Sequence, residues 1–462
     1  MSENYLATRY TCSWPWQIGV MLCDGRMVCG CADPYAKRVL GDARTTSIAG
    51  IWQGPVASQL RADLNQGGSS FCGDCPLKLP LADDQSPPQR DVHVGPIPGR
   101  LYVECTAACN ISCNQAVCAP ETGITRTRQA GMLDFDLFTK VIDEAGPTLG
   151  RIDFFNYGEA FLHKRAVEMC EYIKTKFPHI YLYTSTNGLA FTEEKVRQLA
   201  RSGIDEVTFS LDGASQETYV KYRQRGNFDK AIANLRALLD ERAKTGRDLP
   251  FVNWRYILFN WNDSDEEMEK ARAMAAAIGV DRLCWEITDH PENAFSRRFA
   301  PGTPDNDRIK HEIWDNSGLG NAIPGGTPRA EIDVHTVLPD LPFLAKPSTT
   351  LALTARVRNA SSRPFRKNTS SGRRLVRLGA QLFSADGTLI NRDHARAWLP
   401  DDLPPGHSTQ VRIEIPAPDQ PGRYGLKFDL VSEGIDWFEA AGSPTITRGL
   451  WVNQVPRVPE GP

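Results

Sequence analysis

No stretch of this 462-residue chain reaches the roughly 18 consecutive apolar residues that a membrane span needs. The segment Met1-Ser2-Glu3-Asn4-Tyr5 lacks a basic stretch followed by an apolar core, so no secretory signal is expected and the expected location is cytoplasmic. An excess of one charge is also missing: 53 Lys and Arg stand against 56 Asp and Glu, a formal −3. That balance gives no electrostatic case for nucleic acid or an anionic membrane as partner. Fixed-period repeats are absent, which sets solenoids aside. Cysteine is nearly absent beyond residue 118, where only Cys170 and Cys284 occur. The remainder is ordinary for a globular protein, with 41% hydrophobic and 24% charged residues. The length suggests about two to four domains.

Ten of the twelve cysteines therefore fall in the first 118 residues. Without export they read as metal or redox ligands rather than disulfides. The densest group follows an apolar run and reads Val103-Glu104-Cys105-Thr106-Ala107-Ala108-Cys109-Asn110-Ile111-Ser112-Cys113-Asn114-Gln115-Ala116-Val117-Cys118. Three thiols this close can hold three corners of a 4Fe–4S cluster and leave the fourth iron open. An open iron can chelate a small molecule and pass it one electron. Cys109, Cys113 and Cys118 make up that set; a shifted set of Cys105, Cys109 and Cys113 has the more even spacing.

Residues 98–290 alternate between strand and helix patterns. Strands are expected at 151–155, 180–184, 206–210, 253–258 and 282–287, besides the apolar run before the cysteines. Six strands with helices between them imply a parallel sheet, open or closed into a partial barrel. Residues 291–328 are rich in Pro, Gly, Asn and Asp and read as a linker. From 329 the helix pattern stops. Residues 350–357, 376–383, 411–415 and 424–430 alternate, and Asp386-Gly387 marks a hairpin, which suggests an antiparallel β-sandwich over 329–462.

The cysteine loop resembles the signature of radical S-adenosylmethionine (SAM) enzymes, usually E-x-T-x-x-C-N-x-x-C-x-x-C. Glu104, Thr106, Cys109, Asn110 and Cys113 fall in register, whereas Cys118 lies two residues farther on than usual. Val117 stands where the family often has an aromatic residue that packs on adenine. Further elements follow in the family's order. Asn156-Tyr157-Gly158-Glu159 resembles the G-G-E motif with Tyr157 in place of a glycine. Ser185-Thr186-Asn187-Gly188 comes next, then Ser210-Leu211-Asp212-Gly213, similar to S-x-D-G, and Tyr219 to Arg223, similar to Y-x-x-x-R. The resemblance covers about residues 98–290 and implies that Gly158, Glu159, Ser185, Asn187, Ser210, Asp212 and Arg223 bind SAM. An Arg fork suits a carboxylate because it makes two parallel charge-assisted hydrogen bonds.

The N-terminal cysteines run Cys12, Asp24-Gly25, Cys29 with Cys31, Ser47-Ile48-Ala49-Gly50-Ile51-Trp52, Leu60-Arg61 and Cys72-Gly73-Asp74-Cys75. This resembles the SPASM auxiliary-cluster module, which usually follows the barrel and here precedes it. The implied ligands are Cys12, Cys72, Cys75 and one of Cys29 or Cys31. Four cysteines in paired spacing suit a structural Zn²⁺ equally well. The implied architecture is an α/β protein: a SPASM-like module over 1–90, a partial parallel (β/α)6 barrel over 91–290, the linker, and the all-β sandwich. The resemblance implies a SAM-binding 4Fe–4S cluster, a second auxiliary 4Fe–4S cluster, SAM itself and a one-electron reductant such as flavodoxin or ferredoxin.

Leu378-Gly379-Ala380-Gln381-Leu382, Arg396-Ala397-Trp398-Leu399-Pro400 and Pro421-Gly422-Arg423-Tyr424 resemble the sandwich appended to bacterial surface-polysaccharide proteins. That resemblance points to a carbohydrate or other small-molecule substrate and to epimerisation or dehydrogenation of a carbinol carbon. The alternatives are a peptide-modifying maturase and a zinc-filled scaffold with a glycan-binding tail. Cys170 has helix-core spacing and reads as packing. Cys284, on the last barrel strand, is the candidate hydrogen-atom donor if the enzyme is an epimerase. Asn260, Trp261 and Glu286 are candidates for the pocket wall.

Overall fold

The computed structural model describes residues 8–113, 131–289, 292–314, 329–334, 342–361, 364–368, 375–433 and 436–453. The chain divides into two compact units, 1–308 and 309–462. No helix among the described residues is long and apolar enough to cross a membrane.

The first unit is built on one nine-stranded sheet. Its strands are β1 (Ile18–Met21), β2 (Arg26–Val28), β3 (Val39–Asp42), β4 (Arg100–Val103), β5 (Arg151–Asp153), β6 (Tyr181–Thr186), β7 (Glu206–Ser210), β8 (Phe251–Leu258) and β9 (Arg282–Ile287). The order across the sheet is β9-β8-β7-β6-β5-β4-β1-β2-β3. Strands β4 to β9 pair in parallel, each with its neighbour in sequence. Such connections need crossovers, and the helices between them start on the residues chemistry favours. Asp134, Thr192, Asn227 and Ser264 each accept a backbone N–H of the first helical turn. Gly279 ends the last of these helices with a positive φ of 80°. Strands β6, β7 and β8 are buried along nearly their whole length, as parallel strands covered on both faces are. The sheet buries charge as well as apolar side chains. Asp153 accepts from Arg100 Nε at 2.5 Å and from Arg151 at 2.7 Å, all three being buried.

Three short N-terminal strands extend the barrel sheet. Strand β1 pairs in parallel with β4, and β1, β2 and β3 continue the barrel sheet as an antiparallel meander. The reason lies at the edge: Arg100–Val103 is buried throughout, so its outer backbone groups need a partner, and β1 supplies it. Strands of three or four residues are too short for alternation to reveal. The expected linker differs too. Residues 292–308 belong to the first unit, with Phe299 buried, a short helix at Pro304–Ile309, and Arg298 ion-paired to Asp265 and Asp305 at 2.9 Å each.

The second unit holds two sheets. One is three-stranded (Ala330–Val334, Thr350–Asn359, Ser408–Pro416); the other is led by Val376–Ser384, Leu389–Trp398, Gly422–Ser432 and Ile446–Val452. Alternating residues of both, including Val357, Ile413, Leu378, Phe428 and Leu450, meet in one apolar core.

Candidate active site

The cysteine loop leaves the C-terminal end of β4, the end at which a parallel barrel gathers its chemistry. Buried Glu104 anchors its start: its carboxylate accepts from the backbone N–H of Cys23 at 3.2 Å, from Asn156 Nδ2 at 3.3 Å and from the Tyr157 N–H at 3.4 Å. The Thr106 hydroxyl donates to the Gly131 carbonyl and accepts from the Ala108 N–H at 3.0 Å. Ser112–Cys113 then forms a short antiparallel pair with Arg223–Gln224, placing Arg223 opposite Cys113. Cys118 lies outside the described residues. The Cys105 thiol is fully buried and donates to the Ala160 carbonyl at 3.3 Å, an arrangement that occupies it in packing.

The motif residues meet this loop from the neighbouring strand ends. Gly158 packs on it so closely that a Cβ would overlap the Thr106 carbonyl oxygen and come within 2.7 Å of that of Ala108. The Glu159 N–H donates to the same Ala108 carbonyl at 2.8 Å. The Glu159 carboxylate accepts from Thr186 Oγ1 and from the Asn187 N–H, both at 2.7 Å. Burial pushes that carboxyl above its usual range. Asn187 Nδ2 donates to Asn110 Oδ1 at 2.7 Å and lies 3.8 Å from Cys109 Sγ. Asp212, with no exposed surface, accepts from Arg223 Nε at 2.5 Å and from the Ile257 N–H at 2.8 Å. Arg223 also approaches Cys113 Sγ at 3.5 Å. Burial opposes its charge, but Asp212 and Cys113 outweigh that and hold its pKa up.

Ser185 and Ser210 sit differently from the rest. Their hydroxyls are 3.0 Å apart, and Arg255 donates to Ser210 at 3.1 Å while pairing with Glu286 at 3.1 Å. The two serines thus belong to a polar network across β6, β7, β8 and β9. Cys284, fully buried on β9, donates to the Trp254 carbonyl at 3.7 Å, and burial lifts its thiol pKa to about 11. Trp261 stacks on Phe259, and Asn260 donates to the Asn293 carbonyl at 3.1 Å.

A second cysteine site lies under the N-terminal strands. Cys12, Cys29, Cys72 and Cys75 line one cavity with Trp14, Pro15, Arg38, Phe71 and Lys78. Cys31 is not in that lining; it packs with the apolar cluster of Val20, Tyr102 and Phe155, and its carbonyl accepts from the Tyr157 hydroxyl at 2.6 Å. Burial and the neighbouring thiols raise the pKa of Cys12 to about 11 and push that of Cys29 well above the ordinary thiol value. Metal binding would remove those protons and relieve the crowding of four thiolates.

The donor sets fit the clusters the sequence resemblance implies. Four cysteines lining one cavity are the number of thiolates that an iron–sulfur cluster or a zinc ion takes. At the first site, Cys109 and Cys113 lie beside Asn187 and Arg223. The Tyr219 hydroxyl there is buried without a hydrogen-bond partner among the described residues. Its electrostatic neighbours are Arg223, Asp212, Cys113 and Glu159, polar surroundings that suit a polar ligand. Sequence reasoning missed Tyr157 as a tie from the loop after β5 to the segment at Cys31, Arg255, and Arg38 and Lys78 beside the second cavity. Only the substitution of tyrosine for the family's glycine carried a signal.

Residues 103–275 match the radical SAM superfamily, and residues 12–76 match the SPASM iron–sulfur cluster-binding domain. Over 114 residues the chain is 36% identical to the tungsten-containing aldehyde ferredoxin oxidoreductase cofactor-modifying protein of Pyrococcus furiosus, covering 24% of this chain and 30% of that protein. Over 140 residues it is 27% identical to the GTP 3′,8-cyclase of Desulforamulus reducens, covering 30% and 42%. Over 184 residues it is 32% identical to the mycofactocin maturase MftC of Mycolicibacterium smegmatis, covering 39% and 42%. The chain thus spans less than half the length of each of these relatives. Among solved structures, Streptococcus suis SuiB bound to S-adenosylmethionine aligns over 46% of this chain and 47% of that one, with a TM-score of 0.36 and 13% identity.

Proposed function

The chain belongs to the radical SAM superfamily and carries a SPASM module, and on that premise we propose that it modifies a peptide by radical chemistry. The observation that carries the reading is the meeting of Glu159, Asn187, Asp212 and Arg223 with Cys109 and Cys113 in the unit that also holds the four-cysteine cavity. The substrate class rests on the relatives: a maturase is among them, and none that they name acts on a carbohydrate. The glycan substrate expected from the C-terminal sandwich has no such support.

When bound, the cluster and SAM supply a 5′-deoxyadenosyl radical that takes a hydrogen atom from the substrate. The protein's part is to bind and orient. Cys109, Cys113 and Cys118 are the proposed thiolate ligands. Glu159, held by Thr186 and the Phe161 and Asn187 N–H groups, keeps a lone pair on Oε2 to receive an ammonium group. Arg223 gives one N–H to Asp212 and keeps others for a carboxylate, while Asp212 fixes its direction. Ser185, Ser210, Arg255 and Glu286 offer a polar wall toward substrate. Cys12, Cys29, Cys72 and Cys75 are the proposed ligands of the auxiliary cluster. Cys284 is the proposed hydrogen donor only if the reaction is an inversion.

The reading is tested by incubating the reduced, reconstituted enzyme with SAM and the short peptides encoded beside its gene. A mass change in one peptide, matched by 5′-deoxyadenosine, is expected. Turnover of a nucleotide sugar, with every peptide unchanged, would restore the carbohydrate reading.

A further inference from the structure

The barrel wall beside the SAM site carries a polar set whose hydrogen-bonding capacity the protein does not use up. Alternation along the last two strands decides which way it faces. Arg255 on β8 stands level with Cys284 on β9, and Ile257 with Glu286. Trp285 turns to the other face, where it meets Tyr256 and Arg272 of the covering helix Asp265–Ile278. Arg255 and Glu286 therefore point into the barrel. They are joined there as an ion pair at 3.1 Å, with side chains 16% and 32% exposed. Two serines extend the set towards the cysteine loop. Ser185 lies two residues before Asn187, which approaches Cys109, and Ser210 two before Asp212, which holds Arg223.

The Ser185 and Ser210 hydroxyls are 3.0 Å apart, so one donates to the other. Arg255 donates to Ser210 at 3.1 Å and reaches Ser185 at 3.5 Å, which fills lone pairs and supplies no acceptor. One hydroxyl proton is thus left without an acceptor among the described residues. Glu286 is the opposite case. Its Oε2 is buried beside Arg255 and takes no hydrogen bond from any described residue. A hydroxyl and a carboxylate left in this state call for a ligand that supplies both an acceptor and a donor. Charge narrows its class. Arg255 and Glu286 cancel each other, as Arg223 and Asp212 do, so an added charge would stand unpaired in a site largely shielded from water. The ligand group is therefore neutral. A residue of an extended peptide fits, because it presents its own N–H and C=O on the same side, as it does across an antiparallel ladder.

We propose that Glu286 accepts the backbone N–H, and the Ser185–Ser210 pair donates to the C=O, of one residue of the substrate peptide, with Arg255 as the positioning residue that holds both. The inference rests on the peptide reading proposed above and adds where the main chain is gripped. Arg255 serves through its fork: Nε faces the carboxylate while a terminal nitrogen holds the hydroxyl of Ser210. A grip on the main chain fixes the Cα–H and side chain of that residue beside the cysteine loop without reading the side chain itself. It sets the register of the peptide, which radical chemistry needs in order to select one C–H bond among many.

The test is an ester scan. The reconstituted, reduced full chain is given SAM and the short peptides encoded beside its gene, with analogues in which each amide in turn is an ester. An ester removes one N–H and keeps the course of the chain. In the wild-type enzyme one ester position should lower kcat/KM by about 10- to 100-fold, the worth of a hydrogen bond to a charged group. Glu286→Ala should lose a similar factor on the all-amide peptide and should no longer distinguish that ester. Arg255→Lys, which keeps the charge and loses the fork, should blunt the difference. A merely structural Glu286 would lower turnover of every analogue alike. If Glu286→Ala loses iron, Glu286→Gln takes its place and should show a smaller penalty at the same position. Peptide modification with no sensitive ester position, or with the full penalty kept in the Glu286 variant, would overturn this inference and leave the proposed function standing. Failure to modify any peptide would overturn both.

Discussion

Arg223 and Asp212 show how much the site depends on single side chains. The pair is buried at 2.5 Å, so Asp212 fixes the guanidinium before any ligand arrives. Arg223→Leu should weaken SAM binding by about 2–3 kcal/mol, the usual worth of a charge-assisted contact in a buried site. Equilibrium binding to reconstituted protein measures this, and unchanged affinity would return Arg223 to a structural role. The choice between Cys29 and Cys31 is a residue question as well. Cys29 lines the cavity with Cys12, Cys72 and Cys75, whereas Cys31 packs against Tyr102 and Phe155. Cys29→Ala should therefore lose the auxiliary cluster, and Cys31→Ala should keep it; iron content and the visible absorption distinguish the two. The reverse result would move the ligand to Cys31.

Gly158 carries the argument to the level of elements, because it is where the loop after β5 touches the loop after β4. The obstacle to a side chain there is backbone, the Thr106 and Ala108 carbonyls, which cannot swing aside as a flexible side chain would. Gly158→Ala should cost the SAM-site cluster and spare the auxiliary one, halving iron from about eight to about four per chain. Full retention of iron and of SAM cleavage would contradict the packing argument. The six parallel strands were legible because most are apolar runs set between helical patterns, and the cysteine loop and its partner motifs because spacing survives in sequence. Strands β1 to β3 were not legible, since three or four residues hold at most two periods of alternation. Nor was their pairing with β4, which depends on an edge that exists only once the barrel forms. The tie from Tyr157 to the Cys31 carbonyl spans 126 positions and likewise has no local signature. Arg61 was legible only as part of the Leu60-Arg61 motif, and Arg38 and Lys78 escaped notice because a lone cation in sequence reads as a solvated one.

At the scale of the whole molecule, the second unit has its own core, so residues 329–455 should fold alone. Removing it should leave iron content and slow SAM cleavage intact while lowering turnover of the true substrate. Loss of both clusters would instead make it a support for the barrel. That unit also carries a pH signature. Burial pushes the Asp429 carboxyl up to about 7, although it accepts the N–H groups of Leu430 and Glu439. A carboxyl raised in the folded state favours the folded form while protonated, so stability should fall as pH rises from about 4 through about 7 and then level off. Thermal melts of the isolated unit should show that decline, and Asp429→Asn should flatten it; a parallel decline in the variant would assign the effect elsewhere. The central claim, a radical SAM enzyme with two clusters, is tested most directly by anaerobic reconstitution followed by metal analysis and reduction in the presence of SAM. The account predicts about eight iron and eight sulfide per chain and formation of 5′-deoxyadenosine, with one cluster and no cleavage after removal of Cys109, Cys113 and Cys118. Protein that takes up zinc in place of iron and leaves SAM intact would contradict it.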